Sequence, residues 1–350
     1  MAARLFCLVI ISLLLPPPEA GAQEVKLRAT LQVPASNPFF GVSLVRFKDE
    51  VERRTGKAVT IAIFDKGQLF KDDQVVDAVS SGAIEMGIVG FNWVANKLPA
   101  VGILEQPFLF NFDALVRAAA TPGSEIRSLV DDAVLAATGM RVLWWQSLGN
   151  TIFFSKGRDV ADPQQMKNQK VRVFSKTLAQ FTTLCGGTPT MLSVAKLHDA
   201  LKEGTVDVAM AGLAAFEARE LWKVTDTITR TEHAPVEYFL VINEQVWRSI
   251  SPDRQSAIAE AARHIEREMR DRLAEIEARA YDFARIKKIE VRQLTPDQVA
   301  EWRACSADVL SDYMAHNAEL AQRLMAAYGK LRTDPCCSAG PSSGAPFTRR

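Results

Sequence analysis

The sequence predicts an α/β protein of two lobes, joined in a clamshell and spanned by one long helix. Three observations carry that expectation. The chain has 350 residues, more than a single compact core usually organises. Segments reading alternately as strand and helix run through its first half and then restart. Near residue 252 a charged, amphipathic segment begins that is long enough to lie across both halves.

The elements follow in order. KLRATLQV at 26–33 alternates as a strand, and Ser36-Asn37-Pro38 supplies cap chemistry for a helix carrying Phe40, Leu44, Phe47 and Val51, ended by Gly56. AVTIAIF at 58–64 is a strand, a helix occupies about 73–80 and closes at Gly82, and IEMGIVG at 84–90 is the next strand. Such a βαβαβ order leaves loops at the carboxyl ends of parallel strands, where small ligands usually bind. Helices are expected at about 112–138, then separate strands at 140–147 and 150–155, the second opening the second lobe. There KVRVFS at 170–175 is a strand, a helix runs from Lys176 to Gly186-Gly187, Ser193 caps a helix through Leu197 and Leu201, and VDVAMAG at 206–212 is a strand. PVEYFLVI at 235–242 is a candidate return strand into the first lobe. Ser251-Pro252-Asp253 opens the long helix, which reaches about Ile286; its apolar positions keep no sustained heptad, so a helix laid on two lobes is preferred to a coiled coil. A strand at 288–294 and closing helices from Thr295-Pro296 complete the chain. The expected division is 23–147 plus about 236–265 for the first lobe and 148–235 plus about 266–331 for the second.

Both ends read differently from the body. Arg4, the apolar run Leu5–Leu15 and Ala20-Gly21-Ala22 form the pattern of a signal peptide over 1–22, with the mature chain starting near Gln23. The run is short of the roughly 20 residues a spanning helix needs. The Pro-, Ser- and Gly-rich ending at 332–350 has little apolar surface to offset its ordering entropy and is expected to be disordered. Four cysteines follow the signal segment, and Cys185, Cys305, Cys336 and Cys337 show no framework spacing from which pairing can be read.

Composition excludes several classes of function. With 48% hydrophobic and 24% charged residues the chain can bury sizeable cores. A formal charge of +1 without a long basic run argues against nucleic acid as a partner. His198, His233, His264 and His316 are scattered, and no metal-ligand spacing, nucleophile elbow or phosphate-binding glycine loop is present, so neither an enzyme nor a cofactor is expected. Arg172 is more informative, because a guanidinium offers a rigid fork of donors to a carboxylate and keeps its charge. Periodicity alone leaves a bland alternative: Lys170 and Arg172 share the solvated face of a strand whose Val171 and Val173 point inward.

KVRV, followed by GGTPTM at 186–191 and KLHDALKEGTVDV at 196–208, resembles the extracytoplasmic solute receptors of tripartite ATP-independent periplasmic (TRAP) transporters, the dicarboxylate-receptor family. GQL at 67–69, SGAIEM at 81–86, PFLF at 107–110 and the helix after SPDRQ stand in the matching order. The resemblance implies a periplasmic-binding-protein clamshell that captures an organic acid between its lobes and delivers it to small and large membrane subunits, without catalysis. It implies that Arg172 forms a salt bridge with the ligand carboxylate. A receptor feeding a signalling partner, or a periplasmic enzyme on the same scaffold, are the alternatives.

Departures from the family pattern bear on specificity. Asn150-Thr151 stands where relatives often carry a second arginine, and Ala211 where they often carry a pocket asparagine. The resemblance then leaves Arg172 to hold the carboxylate largely alone, and favours a monocarboxylate or oxo acid with an apolar body. Phe40, Asn92, Trp93 and Phe174 are candidates to hold that body, with Trp144 and Trp145 weaker ones, and Glu237 is a candidate to orient Arg172 or meet a ligand hydroxyl.

Overall fold

The computed structural model describes residues 24–335 and 337. The expected signal peptide therefore lies outside the described residues, as does most of the expected disordered tail. The last helix, Ala318–Thr333, runs past the boundary expected at 332, and Cys337 is buried beside the carbonyl of Ala114.

Among the described residues, ten strands form two sheets that share one member. β1 (Val25–Thr30), β2 (Val59–Phe64) and β3 (Met86–Gly90) pair in parallel in the order β2-β1-β3, as the βαβαβ reading requires. β4 (Met140–Ser155) is a single strand of 16 residues where two strands are expected at 140–147 and 150–155. Its backbone does not break at Gly149; it kinks there, with φ +78° and a register shift between Ser147 and Asn150, and continues as strand. A Cβ at Gly149 would stand 1.9 Å from Glu277 Oε1, so glycine suits both the backbone angle and the space.

The second sheet is built on the far half of β4. β5 (Lys170–Val173) pairs in parallel with β6 (Thr188–Met191) and with β7 (Val208–Gly212). β7 and β8 (Thr227–Arg230) flank β4 in antiparallel register. β9 (Pro235–Asn243) returns to the first sheet between β3 and β4, as its near-continuous apolar run suggests, and β10 (Glu290–Gln293) lies along β8. On β9, Phe239 and Val241 enter one first-lobe core while Leu240 and Ile242 enter the other.

The helix Pro252–Ile286 binds the halves together over 35 residues. Ile258, Ile265, Met269, Leu273 and Ile276 join the first-lobe core over the helix Phe40–Arg54, and Ala280 and Ala284 join a second-lobe core. The handover thus falls after Ile276, about three turns beyond the expected position at 265. The closing segments also divide differently from expectation. Trp302 and Val309 pack in the second lobe, but Ala321, Leu324 and Ala327 of the final helix return to the first-lobe core beside Val130 and Val134. An amphipathic helix must cover an apolar surface, and this one covers the helix Glu125–Thr138.

Smaller local expectations are met or corrected by cap chemistry. Asn37 Oδ1 accepts from the amides of Phe39 and Phe40 at the start of the first helix. The helical region at 112–138 is two helices, Asp113–Ala120 and Glu125–Thr138, separated at Pro122-Gly123, with Ser124 capping the second. Ser193 makes no side-chain cap bond; a single tight turn at 194–196 precedes the helix Leu197–Lys202. Cys185 and Cys305 form a disulfide between the end of the helix Lys176–Leu184 and the helix Pro296–Cys305, a pairing with no signal in the cysteine spacing. Among the described residues, no helix is long and apolar enough to cross a membrane.

Candidate functional site

A cavity of about 570 Å³ lies between the lobes. Its walls come from the carboxyl ends of strands: Gln32 beyond β1, Lys66 and Gly67 beyond β2, and Asn92 and Trp93 beyond β3 from one lobe. Arg172 and Phe174, Ser193, and Ala211 with Gly212 answer from β5, β6 and β7 of the other. The strand ends of both sheets therefore face one another across the cleft, where the α/β order places small-ligand sites.

Arg172 stands on the cavity side of β5, opposite the buried Val171 and Val173, and is only 2% exposed. The outer face of the strand is covered rather than solvated. Its Nε donates to the Leu192 carbonyl at 2.9 Å and Nη1 to the Met210 carbonyl at 2.6 Å, and the guanidinium lies 5.2 Å from the centre of the Phe174 ring. Two carbonyls and a ring fix the plane of the group. Among the described residues nothing accepts from Nη2, and no carboxylate lies within salt-bridge distance of Arg172. Burial pulls its pKa down to about 10, partly offset by Tyr238 and Asp72, so the group remains a cation at neutral pH.

The lobes meet around this arginine. Asn92 Nδ2 donates to the Phe174 carbonyl at 2.8 Å, a bond from the first lobe to the second. Burial raises the Asp72 carboxyl, while Arg219 and Arg172 draw it back down across the cleft. Glu105, on the cavity wall and 5% exposed, is held up at about pH 8 by burial, against a smaller opposing pull from the Ser175 hydroxyl. A neutral carboxyl at pH 7 adds no negative charge to the cavity.

Six of the expected site residues line the cavity: Arg172, Asn92, Trp93, Phe174, Ala211 and Glu237. Phe40 does not. It is 8% exposed in the first-lobe core, its ring 4.4 Å from that of Tyr238, so it supports a cavity residue instead of forming the wall. Asn150 and Thr151 are also absent from the wall, because β4 runs straight through them: Asn150 pairs with Pro235, and the Thr151 amide donates to the Ala234 carbonyl at 2.7 Å. Trp144 and Trp145 are core residues of the two faces of the first sheet. Glu237 does not orient Arg172; its Oε2 meets Arg270 of the long helix at 3.4 Å.

Sequence reasoning missed Gln32, Lys66, Lys71, Glu105, Lys196 and Tyr238, all of which line the cavity. Gln32 and Lys66 lie just past the ends of β1 and β2, so the rule that led to Asn92 and Trp93 could have found them. Beside Arg172, expected to hold the carboxylate largely alone, the wall therefore also carries three lysines, together with Asp72 and Asp73. No group of three or more His, Cys, Asp or Glu suited to a metal occurs among the described residues, and His233 is fully buried, bonded to Thr231 at 2.8 Å and stacked on Phe181.

Known proteins with this architecture are numerous. A receptor of Bordetella pertussis that binds pyroglutamic acid superposes with a TM-score of 0.81 over 87% of this chain and 99% of its own, at 20% identity. A TRAP solute-binding protein of Roseobacter denitrificans with bound β-D-glucuronate superposes at 0.80 over 87% and 99%, at 21% identity. In sequence, a solute-binding protein of Chromohalobacter salexigens is 26% identical over 232 residues, 66% of this chain and 68% of that one. The 2,3-diketo-L-gulonate-binding periplasmic protein of Escherichia coli K12 is 24% identical over 256 residues, 71% of this chain and 76% of that one. The model of the bacterial extracellular solute-binding proteins, family 7 (DctP), matches residues 31–317. With the match covering both lobes and all the strand ends that wall the cavity, the chain belongs to that family of extracellular solute-binding proteins.

Proposed function

We propose that this protein is the extracytoplasmic receptor of a TRAP transporter, capturing an organic acid between its lobes and presenting it to the small and large membrane subunits. One observation carries the ligand assignment: Arg172 is buried in the cavity wall, held rigidly by two carbonyls, and has no carboxylate within salt-bridge distance among the described residues. A buried guanidinium without a counter-ion is costly, and a solute carboxylate at Nη2 offsets that cost inside a site that closure shields from water. The relatives support an acid. Relatives named for a carboxylic acid include those for pyroglutamic acid, glucuronate, 2,3-diketo-L-gulonate and, in Bacillus subtilis, C4-dicarboxylates, while a neighbour from Desulfovibrio desulfuricans has sn-glycerol-3-phosphate bound. Export by the signal segment 1–22 and residence in the periplasm complete the reading, and the disulfide Cys185–Cys305 suits an oxidising compartment.

A thermal-shift screen tests the proposal, since a ligand that binds only the native state raises its melting temperature by mass action. Hydroxy acids, oxo acids, uronates and lactam acids are expected to give the large shifts. Neutral sugars or phosphate monoesters giving the largest shifts, with carboxylates silent, would overturn it.

A further inference from the structure

Glu237 is a polar group that the protein leaves half satisfied. It sits on β9 where that strand passes the cavity, forms part of the wall, and is 3% exposed. Arg270 approaches only Oε2, at 3.4 Å, and the same Nη2 is shared with the Trp145 carbonyl at 3.4 Å. Among the described residues, Oε1 accepts no hydrogen bond. Gln32, just past the end of β1 in the same sheet, lines the same cavity and has a buried amide Nε2 with no acceptor among the described residues. Buried polar groups are nearly always paired, and an ionised acceptor is among the costliest to leave alone. Both residues line the cavity, but neither unpaired atom is open to it as the side chains stand, so a solute meets this acceptor and this donor as the two side chains turn toward it.

We infer that the captured acid carries its own hydrogen-bond donor, a hydroxyl or an N–H, which Glu237 Oε1 accepts, and that Glu237 is a specificity-determining residue. The inference rests on the reading of Arg172 as the carboxylate site and adds the chemistry of the rest of the molecule. Arg172 takes the carboxylate from the second lobe, Glu237 takes the donor at the lobe junction, and Gln32 Nε2 donates to an oxygen of the solute. Hydroxy acids and lactam acids satisfy all three. A simple alkanoic acid leaves Oε1 unpaired, and a second carboxylate at that position meets a like charge. A site built to hydrogen-bond a solute group discriminates strongly against the analogue that lacks it.

The test is calorimetric titration with matched acids of increasing size: lactate against propionate, a five-membered lactam acid against cyclopentanecarboxylate, gluconate against hexanoate. The donor-bearing member of at least one pair is expected to bind at least about tenfold more tightly. In Glu237→Met, which has no comparable acceptor, that ratio is expected to fall to within about threefold, while Glu237→Gln, a neutral acceptor, gives an intermediate value. The ratio compares two ligands on one protein, so it is insensitive to a general loss of stability. Pair members that bind the unaltered protein alike, or a ratio that survives both substitutions, would overturn the role of Glu237 while leaving the carboxylate reading intact. Binding by no acid at all counts against the Arg172 reading itself, and with it the inference.

Discussion

Two buried arginines, one in each lobe, show how the same side chain serves structure in one place and recognition in another. Arg127 is 5% exposed in the first lobe and Arg172 is 2% exposed in the second. Arg127 is paired with two carboxylates of its own protein: Nε donates to Asp131 at 2.7 Å, Nη1 to Glu266 at 2.6 Å and to the Ala120 carbonyl at 2.7 Å, with the Trp145 ring 5.1 Å away. Burial alone pulls its pKa down, but Glu266 and Asp131 push it above its ordinary value. Among the described residues Arg172 has two carbonyls and no carboxylate within salt-bridge distance, and burial pulls its pKa down, with Tyr238 and Asp72 only partly offsetting it. Near-equal burial with opposite pKa shifts separates a cation whose counter-ion is built in from one whose counter-ion arrives from outside.

The comparison can be broken by substitution. Arg127→Met leaves the buried Glu266 and the half-buried Asp131 without their cation, each keeping only a Trp145 donor, and is expected to cost about 3–5 kcal/mol of stability in urea unfolding. The carboxylate affinity of the folded fraction should stay within a few-fold of normal. A large loss of affinity at unchanged stability would erase the distinction.

Gly149 separates the lobes that carry the two arginines, so its substitution sharpens the comparison. Gly149→Ala forces a left-handed angle on a residue with a Cβ and displaces the Glu277 carboxylate, for a cost of about 1–2 kcal/mol. Affinity is expected to fall as well, because the kink sets the angle at which Arg172 faces the first lobe. Unfolding and titration of the same variant check both.

The smallest effect concerns charge in the cavity that Arg172 lines. Glu105 has a folded-state pKa of about 8, above its ordinary value, so the folded state holds its proton longer than the unfolded chain does. Its contribution favours folding below the ordinary carboxylate range and is lost progressively as pH rises toward about 8. Carboxylate affinity should fall several-fold as pH passes through 8 and a negative charge develops in the cavity wall, and Glu105→Gln should flatten that profile. A flat profile in the unaltered protein would show that Glu105 does not sense the bound anion.

Much of the fold was legible in the sequence because its signals are local. β1 alternates, β3 and β9 read as continuous apolar runs, Asn37 caps the first helix and the long helix ends at Ile286, all from short-range chemistry. β6 (TPTM) and β8 (TITR) were missed because each is short and half threonine, with no run of apolar residues to mark a strand. The docking of the final helix on the first lobe was missed because an apolar stripe does not reveal which surface it covers. Arg172 shows the same limit at the site. Strand alternation places it opposite Val171 and Val173 correctly, yet says nothing of Leu192, Met210 and Phe174, which turn that face from solvated to buried. Family resemblance supplied the role that periodicity could not. It also drew Asn150 and Thr151 toward the site, where the unbroken path of β4 keeps them out of the wall.

The most direct measurement is a double-mutant cycle between Arg172 and the carboxylate of a solute identified by the thermal-shift screen, using that acid and its primary amide with the unaltered protein and with Arg172→Met. A buried charge pair predicts that the amide binds the unaltered protein at least about a hundredfold more weakly, and that Arg172→Met binds acid and amide alike and only weakly. Equal loss of acid and amide affinity on substitution, with the preference for the acid retained, would contradict the central claim that Arg172 holds the carboxylate.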